Sequence, residues 1–240
     1  MDSYNAIQTI IINCNSNRQL DRQIMCWNKD ISLNTFLFSI FVLLLVVYNN
    51  AFTKYKIPEL NHFWVYMFFI SFITMQLIEY FIWVNIHNSY YNSFFSIMAF
   101  ILLLFQPIIS IMILNDTNLK KWIIIMYVIY ASTYSIYMFS TTRMYSSVSK
   151  MGHLKWPFLT QKEPIFLIVW LFFFLFSFFY NKTYFGFIFG ITTYLIILYN
   201  YYRDQSVGSM WCWVVNSIMI YYAVYLLIYL PFQEKNKLCH

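Results

Sequence analysis

Charge is what this chain has least of. Only 10% of its 240 residues are charged and 61% are hydrophobic. A soluble domain of this length needs far more charge to cover its surface. Basic residues are scattered, with no Lys/Arg cluster of the kind that binds nucleic acid or anionic lipid. Four cysteines are too few for a disulfide scaffold. The start, Met1-Asp2-Ser3-Tyr4-Asn5, lacks a basic segment, and the apolar piece Ile7 to Ile12 is short. No cleaved signal is therefore expected, and the first spanning helix serves as the insertion signal. Glycine is scarce at 4 residues, against 26 Phe and 22 Tyr. Phe, Tyr, Ile, Asn and Lys share AT-rich codons, so part of this bias reads as genomic, and single aromatics carry little weight.

Other absences exclude familiar membrane classes. No internal repeat is found, so the inverted-repeat transporter architecture is unsupported. Residues 209–231 contain no lysine, so no retinal Schiff base can form and retinal is excluded. The same stretch lacks Asn-Pro-x-x-Tyr, and no Asp-Arg-Tyr closes the third span, which argues against a G-protein-coupled receptor. The spans offer mainly Gln76, Glu79, Gln106, Ser132, Thr133, Ser135, Thr192, Thr193 and Asn216 as polar groups, too few for a wide aqueous pore.

What is present is a series of seven apolar stretches, at about 31–50, 62–84, 93–114, 122–140, 164–181, 183–201 and 209–231. Each is near the roughly 20 residues that cross a bilayer. The expected fold is all-α: a polytopic, multi-pass, seven-transmembrane-helix bundle in the lipid bilayer. It comprises an interfacial segment 1–30, one transmembrane domain 31–231 and a polar tail 232–240. An odd number of crossings puts the termini on opposite faces; the N-terminal side is called face A and the other face B. Face A carries 8 basic residues and face B 7, too close a balance for the positive-inside rule to orient the chain.

Glu79 is the only carboxylate in the body of a span. An ionisable residue in hydrocarbon is costly and is a functional candidate by default. Gln76, Glu79 and Trp83 share one helical face. The alternative is a protonated, uncharged glutamic acid that bonds a neighbouring helix as packing glue. Pro107, in mid-span, predicts a kink whose freed carbonyl needs a partner. Gln106 is expected to bond that carbonyl or Gln76. Asp30 or Asn28 is expected to cap the first span, and Ser209 the seventh. Trp211 and Trp213 fit an interfacial aromatic belt.

Topological parity sends Cys26, Gln76, Glu79, Trp83, His153, Trp156, Cys212 and Asn216 to face A, where they form a candidate binding cluster. Cys26, Glu79, His153 and Cys212 are zinc-ligand types, but their spacing is not diagnostic. A disulfide between Cys26 and Cys212 is an alternative, and two inert buried thiols are the favoured reading, since buried Cys mostly serves packing.

The segments CWNKDIS (Cys26–Ser32), QLIEYFIW (Gln76–Trp83), the Gln106-Pro107 pair, GHLKW (Gly152–Trp156) and SMWCW (Ser209–Trp213) together resemble an uncharacterised seven-helix integral membrane protein family of large DNA viruses of algae and protists, with distant bacterial relatives. The resemblance covers nearly the whole chain. It departs at Met151, where relatives carry Cys, and at Tyr80, where relatives carry Gly, a loss that would narrow any cavity beside Glu79. It implies the fold and a viral origin, hence a virion or host membrane, and implies no activity. Three functions stay open: binding or passage of a small molecule or lipid in a pocket that opens to face A with Glu79 as its polar anchor, metal-dependent hydrolysis of a lipid, and a purely structural role in a viral membrane.

Overall fold

The computed structural model describes residues 28–53, 56–159 and 164–232. The helices are α1 (Lys29–Phe52), α2 (Phe63–Val84), α3 (Ser89–Ile111), α4 (Thr117–Thr141), α5 (Pro164–Tyr180), α6 (Tyr184–Tyr201), α7 (Val207–Asn216) and α8 (Ile218–Val224). A π-helical turn, Tyr225–Tyr229, continues α8, and the run Val207–Phe232 forms a single apolar span. Among the described residues, six helices are long and apolar enough to cross a membrane, and the shorter helix at Ile165–Tyr180 is also apolar. The protein is an all-α polytopic membrane bundle.

Helix starts follow side-chain chemistry more than hydropathy. Asn28 caps α1, its side chain accepting from the amides of Asp30 and Ile31 at 3.0 and 3.1 Å. Asn88 and Asp116 cap α3 and α4, so both helices begin several residues before their apolar stretches. Polar residues in the first turn are no obstacle once the orphan amides have an acceptor. Ser209 is not the cap it was expected to be: the last span starts at Val207 and Ser209 lies inside it.

Helix α2 is the centre of the bundle. Just over half of its spanning window, 56%, is buried, against 22% for α4 and 17% for α6. It packs on α1, α3 and α7. The main core joins α2, α3, α5 and α7; a second joins α1, α2 and α8; a third joins α3, α4 and α5. Outward faces carry Phe41 and Leu44 on α1, Ile129 and Ile136 on α4, and Leu195 and Tyr199 on α6. Rows of exposed apolar side chains on every outer helix are what a lipid solvent requires.

The long connection on face A folds inward. Ser147–Val148 and Leu154–Lys155 pair as a short antiparallel hairpin, turning through Gly152 at φ 85°. Asn92 on α3 clamps it: its amide donates to the Ser146 carbonyl at 3.0 Å and its oxygen accepts from the Ser146 amide at 2.8 Å. Beyond the hairpin, Trp156, Phe158 and Leu159 plug the main core. Gly208 on α7 makes room for them; a Cβ there would sit 2.8 Å from the Trp156 ring.

Candidate functional site

Gln76 and Glu79 lie one turn apart on α2 and are almost fully buried. The Gln76 amide donates to one Glu79 oxygen at 3.0 Å. The Ser209 hydroxyl of α7 interacts with the same carboxyl, and the Cys212 thiol lies within its electrostatic reach. The second carboxyl oxygen has no hydrogen-bond partner among the described residues. Further along the contact, the Asn216 amide donates to the Cys212 carbonyl at 2.8 Å and to the Phe72 carbonyl at 3.5 Å, while its own oxygen has no partner among the described residues. Phe72, Gln76 and Glu79 share one face of α2; Ser209, Cys212 and Asn216 share one face of α7. The two stripes meet in a polar seam that runs from face A to the helix break after Asn216.

Trp83, one turn beyond Glu79, is half-buried and packs against the main core. Trp156 is buried in that core, with its indole nitrogen unpartnered among the described residues. His153 sits on the hairpin outside the spans. Its ring meets Tyr201 edge-on at 5.1 Å. Burial pushes its imidazole below the usual range, and the charge of Asp204 opposes that shift. Asp204 is itself buried, accepting from the Ser206 hydroxyl at 2.9 Å and from the Met151 amide at 3.2 Å. Cys26 lies outside the described residues. Among the described residues, Cys212 is a free buried thiol and no group of three or more His, Cys, Asp or Glu side chains converges.

Gln106 makes neither bond expected of it. Both its polar side-chain atoms are buried without a partner among the described residues. The carbonyl freed by Pro107 belongs to Leu103, one turn back, and it accepts the Trp170 indole N–H of α5 at 2.8 Å. A rigid indole from the neighbouring helix reaches the carbonyl edge directly. Trp211 also departs from expectation: it is a core residue, set edge-on against Trp170, Phe174 and Tyr194.

A cavity of about 510 Å³ opens towards face B, between α2, α5, α6 and the last span. Phe68, Phe69, Phe72, Phe174 and Trp211 wall its inner part; Glu59, Asn181 and Lys182 stand at its mouth. Glu79 is not among its lining residues, but Phe72 belongs to both the cavity wall and the polar seam. The pocket expected from the sequence opens to face A at Glu79; this cavity, on the face-B side, was not foreseen. The one available signal was Gly186-x-x-x-Gly190 on α6, two of only four glycines in the chain. A Cβ at Gly190 would lie 2.8 Å from Leu175 on α5, so these positions set how closely α6 approaches.

Comparison with protein-family models, curated proteins and solved structures found no match to this chain.

Proposed function

We propose that this multi-pass membrane protein binds or passes a small amphiphile of the lipid class, with the face-B cavity as its pocket and Glu79 as the polar group behind it. The cavity carries the reading. Its volume falls within the range typical of small-molecule sites, roughly 300–1,000 Å³, and aromatic walls with a few polar groups at one end suit an amphipathic guest. Support for Glu79 is its position as the only carboxylate in the body of a span, with one oxygen unpartnered among the described residues. The stripe Phe72–Gln76–Glu79 joins it to the inner wall. The resemblance to viral proteins would put this activity in a virion or host membrane.

The test is mass spectrometry of what co-purifies with the full chain in mild detergent. The wild type should retain a discrete lipid-class guest. Val215→Phe, which fills space at the cavity wall, should lose it while keeping the melting temperature. Equal guest content in the two proteins would overturn the reading.

A further inference from the structure

The mouth of the cavity carries one charge of each sign. Glu59 lies in the short helical turn just before α2, and Lys182 in the tight connection between α5 and α6. Both therefore stand at the end of the bundle where headgroups begin. Both are exposed, and neither is ion-paired among the described residues. Lys182 is held in place by its backbone. It adopts φ 60°, a left-handed conformation disfavoured for residues other than glycine. The turn is locked because the Thr183 amide and hydroxyl both donate to the Phe178 carbonyl, at 2.9 and 3.0 Å. A strained residue fixed by its neighbours presents its side chain from a defined point.

We propose that Glu59 and Lys182 form a clamp for a zwitterionic lipid headgroup, one that carries a phosphate and an amine, with an acyl chain of that lipid in the cavity. This rests on the cavity being a binding pocket, as proposed above. The phosphate faces the Lys182 ammonium and the lipid amine faces the Glu59 carboxylate. A fatty acid or a singly anionic phospholipid satisfies Lys182 and brings its negative charge against Glu59. Specificity then comes from the mismatched charge as much as from the matched one. The headgroup boundary is where such pairs act, since they are only partly solvated there.

Photo-crosslinking with three diazirine-tailed probes tests the clamp on the full chain in nanodiscs: phosphatidylethanolamine, phosphatidylglycerol and a free fatty acid. Attachment sites are read by mass spectrometry. The phosphatidylethanolamine probe should label cavity residues about tenfold more than the others, a difference of about 1.4 kcal/mol. Lys182→Glu should remove that preference, and the double variant Glu59→Lys with Lys182→Glu should restore it. Glu59→Gln should raise phosphatidylglycerol labelling towards that of phosphatidylethanolamine. Equal labelling by all probes, unchanged in the charge variants, overturns the clamp and leaves the pocket standing. Absence of labelling in the cavity by any probe overturns both.

Discussion

The indole of Trp170 on α5 donates to the Leu103 carbonyl on α3 at 2.8 Å, the carbonyl that Pro107 strips of its helical partner. The kink and its repair thus come from different helices. Trp170→Phe should destabilise the protein by about 1–3 kcal/mol, the cost of a buried acceptor left unpaired. In a Pro107→Ala background the residue at 107 regains its N–H, and the penalty should shrink. Thermal melts of the four proteins of the cycle measure this, and a penalty independent of residue 107 would refute the pairing.

Gln106 illustrates the opposite situation. Its amide is buried and unpartnered among the described residues, so it is an expense the fold bears. Gln106→Leu should leave stability unchanged or raise it by about 1 kcal/mol. A lowered melting temperature would reveal a partner for the amide.

Glu79 separates a working site from packing glue. Glu79→Gln should keep the fold, because a neutral amide can still accept from Gln76. It should also abolish binding of the guest. Glu79→Leu strands the Gln76 amide and should cost about 1–3 kcal/mol of stability. Unchanged guest binding in the Gln variant would remove Glu79 from the site.

Gly208 should tolerate nothing larger. Its missing Cβ would press on Leu159 and lie 2.8 Å from the Trp156 ring. Gly208→Ala should lower stability by about 1–3 kcal/mol through overpacking and should expose the face-A hairpin to limited proteolysis. A hairpin as protected as in the wild type would show that the plug can shift.

Acid should loosen the same hairpin. Burial depresses the His153 imidazole in the folded protein, with Asp204 pulling the other way. The unfolded chain therefore binds the proton more tightly near the usual value of about 6.5. Stability is unpenalised above that pH and falls as pH drops through the ordinary value towards the folded one. Melting temperature plotted against pH should show this slope in the wild type and lose it in His153→Gln. The same slope in both would assign it elsewhere.

The spans were readable because hydropathy over about 20 residues is a strong, local signal. The Gln76–Glu79 bond was readable for the same reason, being set by one turn of helix. Trp170 and Leu103 stand 67 residues apart, and nothing in either segment marks the other. Trp211 looked interfacial because it sits near a helix start, whereas inward folding of the 154–159 segment moved the protein surface outward past it. The cavity is a space left between four elements, and Gly186 and Gly190 mark only how closely α6 approaches α5 beside it.

The π-helical turn at Tyr225–Tyr229 holds one residue more than the α-helical path needs. Each extra residue advances a helix by about 100° around its axis. The end of the last span, through Phe232, therefore presents a face set by that single insertion. Removing one residue from the turn would rotate Leu230 and Phe232 to a different lipid-facing side while leaving α7, the seam and the cavity wall in register. The last span thus carries an adjustable outer face that can vary independently of the site.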